Sequence, residues 1–303
     1  MQILITGATG QVGSAVLDAL LRAGHQVTAL VRTPQKAEAI ARRGVRTVIG
    51  DLAVPATYEE LALEADAIVQ AAFDTRVGES LDRVAIDSLV SAAARRAAAG
   101  NPVVLIYTSG SWVIGDTVEP ATEDTPLAPP DLMAWRPAHE RLVLDAATPL
   151  LRTVVVRPGT VYGGARGLIA DMLKEAANGL VRVVGKGKNH WPCVYERDLA
   201  DLYARLIATP DASGVFHAND EADEKVEDIV EAIVGHARTK PDIRHMPLPE
   251  ARAKLGPLAE ALALDQRMRS ERARALGWVP TLHSVAGNVA RLHEEFRDAR
   301  AAA

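Results

Sequence analysis

The first half of the chain alternates short apolar runs with segments of helical periodicity. Residues 1–6 contain the apolar run Ile3-Leu4-Ile5, which is typical of a parallel strand covered on both faces. The apolar residues that follow recur at three- and four-residue spacings and predict one face of a helix: Val12, Val16, Leu17, Leu20 and Leu21. Gly24 is the expected stop of that helix.

The same alternation continues and predicts a parallel sheet. Further strands are predicted at 26–31, 45–49, 67–72, 102–107 and 151–156, and helices at 34–43, 80–99 and 139–147. This order is typical of a doubly wound α/β sheet with right-handed crossovers. Beyond Pro158 the pattern loosens into helices at 168–177, 197–208 and 225–237, with short strands at 181–184 and 215–217. We expect a core domain over 1–158 and a smaller lobe over 159–303, some elements of which return to the core.

Composition narrows the class of protein without changing this picture. The chain has 303 residues, of which 48% are hydrophobic and 24% charged, as in ordinary globular proteins. The net charge of −5 argues against a nucleic-acid-binding surface, and no apolar run approaches the roughly 18 residues that span a bilayer. Cys193 is the single cysteine, and no cysteine and histidine cluster has metal-site spacing. We expect a cytoplasmic protein with no metal, no nucleic-acid partner and no membrane contact.

Three spaced glycines separate the first strand from the first helix, in the segment Thr6-Gly7-Ala8-Thr9-Gly10-Gln11-Val12-Gly13. In this setting Gly7 permits a sharp turn, Gly10 lets a pyrophosphate approach the backbone, and Gly13 lets the helix pack closely on the strand. The amides at the helix N-terminus then attract the phosphates. The segment therefore predicts a dinucleotide site that also includes Thr9, Gln11 and Val12.

Several segments resemble, in the same order, motifs of the extended short-chain dehydrogenase/reductase superfamily, of the NAD(P)-dependent epimerase/dehydratase type. They are the glycine segment, Gly50-Asp51-Leu52, Gln70-Ala71-Ala72, Tyr107-Thr108-Ser109-Gly110-Ser111, Arg157-Pro158-Gly159-Thr160-Val161-Tyr162-Gly163, Arg197-Asp198-Leu199-Ala200 and Leu276-Gly277-Trp278-Val279-Pro280. The resemblance covers essentially the whole chain and implies a Rossmann-type fold with a C-terminal substrate-binding lobe. It places Asp51 at the adenine, and it places Leu52, Ala71, Ala72, Pro158 and Val161 among the cofactor-binding residues.

The charge at the end of the second strand bears on the choice between NAD(H) and NADP(H). A carboxylate there holds the ribose 2′-hydroxyl of NAD, whereas an arginine accommodates the 2′-phosphate of NADP. The chain has Leu30-Val31-Arg32-Thr33 at this point, and its next acidic residue is Glu38. Arg32 is suited to bind a phosphate bidentately, and Lys36 adds positive charge one helical turn later. The sequence therefore favours NADP(H).

The catalytic signature that the resemblance implies is absent. The family uses a serine or threonine with Tyr-x-x-x-Lys, but no tyrosine here is followed four residues later by lysine. Alignment on Glu140 places Arg136 in the lysine position and Leu132 in the tyrosine position. Arg136 is thus a candidate for binding the cofactor ribose and for catalysis. Because Pro137 does not belong in a helix interior, the helix begins near Arg136 or is kinked there. Alternatively, Arg136 and Glu140 form a surface pair at i,i+4 spacing.

Other candidate catalytic groups are hydroxyls and one histidine. The family hydroxyl falls on Gly110, which Ser109 and Ser111 flank; these serines bind substrate or simply form turns. His190 lies where extended members of the family contact substrate, and a histidine that titrates near neutrality is a candidate proton donor. Tyr162 and water are further candidates for the proton.

Two classes of function stay open at this stage. The first is an NADP(H)-dependent oxidoreductase or epimerase/dehydratase-like enzyme with unusual acid–base groups, which acts on a small carbonyl, hydroxyl or sugar-type substrate. Sugar-nucleotide epimerisation is disfavoured within this class, because it relies on the missing phenolate. The second is a noncatalytic NADP(H) sensor, which the missing tyrosine and lysine favour. By analogy with extended members, a homodimer through the helices at 80–99 and 139–147 is also expected.

Overall fold

The alternation of strands and helices is present in the computed structural model, which describes residues 1–73 and 78–301. The strands are β1 (Gln2–Thr6), β2 (Gln26–Val31), β3 (Arg46–Ile49), β4 (Ala67–Gln70), β5 (Val103–Thr108), β6 (Leu151–Pro158), β7 (Thr160–Tyr162), β8 (Leu180–Val184), β9 (His190–Trp191), β10 (Cys193–Tyr195), β11 (Gly214–Ala218), β12 (Glu224–Lys225) and β13 (Asp242–Met246). The helices are α1 (Gln11–Arg22), α2 (Pro34–Ala41), α3 (Glu59–Glu64), α4 (Gly78–Ala98), α5 (Arg136–Asp145), α6 (Leu168–Ala177), α7 (Glu196–Ala208), α8 (Val226–His236), α9 (Leu248–Leu255), α10 (Leu258–Ala263), α11 (Glu271–Ala275) and α12 (Val289–Ala301).

The first structural unit comprises the described parts of 1–109, 135–157 and 200–216. Its sheet has seven strands in the order β11-β6-β5-β4-β1-β2-β3, and the pairings among β1 to β6 are all parallel. Leu4, Ile68 and Leu105 of this sheet pack in one apolar cluster with Ile86 and Leu89 of α4 and Val143 of α5. Because these strands are parallel, their carboxyl ends lie along one edge, where the loops that carry the candidate site residues begin.

The second unit comprises the described parts of 110–134, 158–199 and 217–303. It contains the parallel pairs β7–β10 and β8–β13 and the antiparallel pair β9–β12. Its core joins residues of α6, α8 and α12 to those of the strands, among them Leu173, Ile229, Phe296, Val183 and Trp191.

The division differs from the expected boundary at residue 158. Residues 110–134, expected in the core domain, lie in the second unit, where Ala121 and Met268 form an isolated β-bridge. Residues 200–216 lie in the first unit, where β11 forms an edge strand of the sheet, in keeping with the expectation that some later elements return to the core.

Most of the predicted helices and strands are present in the structure, together with several that the sequence did not predict. Strand β2 and helix α6 have the predicted bounds, and Gly24 follows α1 with a positive φ of 78°. The helix predicted at 139–147 begins earlier, at Arg136, because Pro137 fits its first turn. The short helix α3 and the C-terminal helices α9 to α12 were not predicted. Within the described residues, every helix is too short or too polar to cross a membrane.

Candidate functional site

The glycine loop between β1 and α1 is held by close contacts that leave no room for side chains. Gly7 has φ +72°, and a Cβ there would lie 2.6 Å from backbone atoms of Ala71 and Ala72. A Cβ on Gly13 would lie 2.1 Å from the carbonyl oxygen of Gly7. Gly7 and Gly13 therefore perform the turn and the helix–strand packing that their spacing predicts.

Gly10 has a different role, because it opens helix α1. Its amide donates to the carbonyl oxygen of Gly7 at 2.7 Å, and no side chain caps the helix. The first turn carries no acidic residue that would compete for the amides. A helix N-terminus with bare glycine beside it is suited to bind phosphate.

A cavity of about 350 Å³ opens above this loop. Eleven of the predicted cofactor-binding residues line it: Gly7, Thr9, Gly10, Gln11, Val12, Arg32, Lys36, Asp51, Leu52, Ala71 and Ala72. They come from the carboxyl ends of β1, β2, β3 and β4, which are adjacent in the sheet. The cavity lies within the size range of small-molecule and cofactor sites.

The strand order arranges the cavity in three zones. The glycine loop follows β1 in the centre, Arg32 and Lys36 follow β2 on one side, and Ala71 and Ala72 follow β4 on the other. The two cations are exposed. Thr33 accepts a hydrogen bond from the amide of Lys36 at 3.3 Å, which fixes the start of α2. A ligand with central phosphates and a group at each end fits this arrangement.

The zone after β4 is shaped by residues that the sequence did not single out. The Thr6 hydroxyl donates to the Gln70 side-chain oxygen and accepts hydrogen bonds from the amides of Ala71 and Ala72, each at 3.3 Å. Phe73, Leu81 and Asp82 also line the cavity. Thr6 and Gln70 belong to motifs that the sequence does show, whereas Leu81 and Asp82 lie on α4 and carry no local signal.

The remaining predicted cofactor residues do not line this cavity. Gly13 packs against Gly7 instead. Pro158 ends β6, and Val161 lies in β7 of the second unit. Leu132, which occupies the tyrosine position, lies in the short 3-10 turn Asp131–Met133.

Arg136 is the first residue of α5 and is buried, with 6% of its surface exposed. Its guanidinium carbon lies 4.6 Å from the ring centre of Phe73 and 4.8 Å from that of Trp135. Within the described residues, Nε of Arg136 has no hydrogen-bond partner. Because a buried unpaired N–H is costly, this atom is suited to bind a ligand oxygen.

Glu140 does not pair with Arg136. Its carboxylate accepts hydrogen bonds from Arg157 Nε at 3.0 Å and Nη2 at 2.5 Å, and both side chains are buried. The interpretation as a surface i,i+4 pair is therefore wrong. Because Glu140 pairs with Arg157 of β6, the neighbours of the Arg136 guanidinium are the rings of Phe73 and Trp135.

The two candidate serines lie in different surroundings. Ser109 follows β5 and is buried, and its hydroxyl has no hydrogen-bond partner within the described residues. Ser111 opens a 3-10 turn in the second unit, and its carbonyl oxygen accepts a hydrogen bond from the Gln266 side chain at 2.9 Å. The unpaired hydroxyl makes Ser109 the better candidate of the two for binding a substrate oxygen.

The histidine and tyrosine candidates belong to the second unit. His190 lies in β9, and its Nδ1 is 2.7 Å from the Asp265 carboxylate, which also accepts the His190 amide at 2.8 Å. Tyr162 is fully buried, and its hydroxyl lies 3.1 Å from both Asp220 Oδ2 and the carbonyl oxygen of Leu282. Burial, with Asp220 nearby, raises the Tyr162 pKa far above its ordinary value. These contacts orient His190 and make Tyr162 a core residue.

Comparison with known proteins places these features in a family. The sequence profile described as the NAD dependent epimerase/dehydratase family matches residues 3–218. The chain is 29% identical to an uncharacterized protein of Schizosaccharomyces pombe, over 94% of this chain and 96% of the other. It is 34% identical to a protein named oxidase ucsJ from an Acremonium species, over 74% and 70%. It is also 29% identical to the 2-alkyl-3-oxoalkanoate reductase of Stenotrophomonas maltophilia, over 64% and 62%.

The solved structures agree on the fold. A Thermus thermophilus UDP-glucose 4-epimerase in complex with NAD superposes with a TM-score of 0.83, at 20% identity and over 99% of this chain and 100% of the other. The predicted Rossmann-type doubly wound sheet is confirmed, and so is the resemblance to the epimerase/dehydratase type.

Proposed function

Because the chain belongs to the NAD dependent epimerase/dehydratase family, we propose that it is an NADP(H)-dependent oxidoreductase that interconverts a ketone and an alcohol on a small molecule. Membership confirms the prediction of an enzyme of the oxidoreductase and epimerase type, and a nicotinamide dinucleotide is the cofactor that it supports. The observation that carries the proposal is the cavity over the glycine loop, with the uncapped start of α1 in its centre and the cations Arg32 and Lys36 on one side.

The residues present fit such a cofactor. Gly7, Gly10 and the first amides of α1 would hold the pyrophosphate, because they line the cavity at a helix N-terminus that no side chain caps. Arg32 and Lys36 would hold a 2′-phosphate at the end of β2, where NAD-selective proteins carry a carboxylate. The unpaired Nε of Arg136 would bind an oxygen of the nicotinamide half. These assignments favour NADP(H) over NAD(H).

Ketone chemistry suits the groups that remain when tyrosine and lysine are missing. The nicotinamide, when bound, supplies or accepts the hydride. Ser109, with its unpaired buried hydroxyl, would bind the reacting oxygen. The name of the Stenotrophomonas relative, a 3-oxoalkanoate reductase, supports a carbonyl substrate. Epimerisation of a sugar nucleotide is the weaker alternative, because it needs a base that can start the cycle.

The cofactor preference is tested with Arg32→Ala. We expect NADPH binding to weaken by about 1.5–3 kcal/mol, the range for hydrogen bonds to charged groups, with little change for NADH. Isothermal titration of both cofactors measures this difference. Arg46→Ala is the matched control: Arg46 is the first residue of β3, at the amino end of the strand and away from the cavity, so its loss should leave both affinities unchanged. Equal losses for NADPH and NADH in Arg32→Ala would contradict the phosphate role.

The reaction is tested by following NADPH absorbance with a panel of ketones, aldehydes and nucleotide sugars. We expect turnover of a ketone, and a fall in kcat of about 10²-fold or more in Ser109→Ala, with NADPH affinity kept. Tight NADPH binding without turnover of any panel member would instead support the sensor.

A further inference from the structure

Three side chains from three elements form a buried polar cluster beside the cavity, and the proposed function does not use it. Tyr107 of β5 donates a hydrogen bond from its hydroxyl to Asp82 Oδ2 at 2.7 Å. His139 Nδ1 of α5 lies 2.8 Å from the same oxygen. The exposed fractions of Asp82, Tyr107 and His139 are 5%, 1% and 3%, so these side chains are almost completely shielded from solvent. We call these three residues the Asp82 cluster.

Both hydrogen bonds converge on one oxygen of the carboxylate. Tyr107 stays protonated, because burial raises its pKa far above the ordinary value, so its hydroxyl is a donor to Asp82. Oδ1 of Asp82 receives no hydrogen bond from the described residues, and Asp82 lines the cavity. A carboxylate oxygen accepts hydrogen bonds, so a ligand group with a donor, such as a hydroxyl, is a suitable partner for Oδ1.

The strand order indicates which part of a dinucleotide meets this oxygen. If the phosphates bind over β1 and the adenosine half binds beside Arg32 after β2, the nicotinamide half would lie on the β4 side. That side is formed by Ala71, Ala72 and Phe73, together with Asp82 of α4. The ribose of the nicotinamide half offers two hydroxyl donors, and carboxylates are known partners of ribose hydroxyls.

We propose that Asp82 binds a hydroxyl of the nicotinamide ribose through Oδ1, and that Tyr107 and His139 are positioning residues that hold the carboxylate. This inference rests on the proposed function. The family's tyrosine and lysine are missing from this chain. The proposal gives it two other contacts to the cofactor, the Asp82 carboxylate on α4 and the Arg136 guanidinium on α5. Because the hydrogen bonds of Tyr107 and His139 both use Oδ2, they orient the carboxylate and leave Oδ1 available to a ligand.

The test compares two ligands that share the adenosine half, NADP⁺ and adenosine 2′,5′-bisphosphate. Asp82→Ala should weaken NADP⁺ binding 10-fold to 100-fold and leave the affinity for the bisphosphate within twofold of wild type. Tyr107→Phe and His139→Gln should show the same selectivity with smaller losses, because each removes one anchor of the carboxylate. Titration calorimetry gives all the dissociation constants, and thermal melting reports whether each variant folds.

Control variants separate binding from structural effects. Asp87→Ala changes an exposed aspartate on the same helix, paired with Arg83, and should bind both ligands as wild type does. If Asp82→Ala does not fold, Asp82→Asn decides, with at least a fivefold loss for NADP⁺ alone expected. Equal losses for the two ligands, or no loss for either, would overturn the assignment of Asp82. Wild-type protein that binds neither ligand would instead show that the proposed function itself fails.

Discussion

At the scale of single residues, Asp220 shows how burial changes acid–base behaviour. Asp220 is 2% exposed, accepts a hydrogen bond from Tyr162, and has a pKa raised by burial from 3.8 to about 6. A raised pKa means that the folded state holds the proton more tightly than the unfolded state does. The resulting stabilisation is complete below about pH 4 and is lost as the pH rises through about 6.

Asp220→Asn removes this titration while keeping a hydrogen-bond acceptor. Between pH 5 and pH 8, the free energy of unfolding of the wild type should fall by about 1 kcal/mol relative to that of the variant. Urea unfolding at several pH values measures this change. Asp298→Asn, an exposed substitution on α12, should show no such difference from wild type. Parallel curves for wild type and Asp220→Asn would contradict the raised pKa.

The candidate residues also show what sequence alone can predict. The eleven predicted residues that line the cavity, including those of the glycine loop, could be predicted to lie together because they follow parallel strands that are adjacent in the sheet. The Asp82 cluster could not, since Asp82 and His139 are 57 positions apart and each looks like an ordinary helical residue. Arg136 was found only through Glu140, and the sequence could not show that Glu140 pairs with Arg157.

At the scale of elements, two glycines of the β1–α1 junction have different roles: Gly13 allows close packing, and Gly10 lies where we propose that phosphate binds. Gly13→Ala would place a Cβ 2.1 Å from the Gly7 carbonyl oxygen, so we expect a loss of about 1–3 kcal/mol in the free energy of unfolding. In Gly10→Ala the nearest atom is 3.2 Å away and φ is −83°, so stability should change less. The new methyl group would instead narrow the phosphate cradle and weaken NADPH binding.

Denaturant unfolding and NADPH titration of both variants check this separation. Gly235→Ala serves as the control, because Gly235 lies in α8 with open space around its Cα and the substitution should not destabilise the protein. Loss of stability without loss of NADPH affinity in Gly10→Ala would argue against a phosphate at the helix N-terminus.

The length of a helix decides whether its periodicity can be recognised in the sequence. Helix α1 is predicted by its apolar periodicity, and its amphipathic face packs as expected, with Val16, Leu17 and Leu20 buried. The short helices α9 to α11 were missed because they have five to eight residues, too few for periodicity to be seen.

At the scale of the whole molecule, each unit carries a part of the expected chemistry. The first unit holds the cavity, Arg136, Ser109 and the Asp82 cluster, whereas the second holds His190 with Asp265. The expected core domain over 1–158 differs from the first unit at residues 110–134, which belong to the second unit, and no local pattern in that loop segment shows which unit it joins. The family match over residues 3–218 spans parts of both units.

The most direct measurement is titration calorimetry of the wild-type protein with NADPH, NADP⁺, NADH and NAD⁺, supported by thermal melting. We expect one site per chain, tighter binding of the two phosphorylated cofactors, and a higher melting temperature in their presence, because a ligand that binds only the folded state stabilises it. No heat and no change in melting temperature with any of the four cofactors would contradict a dinucleotide in the cavity over the glycine loop.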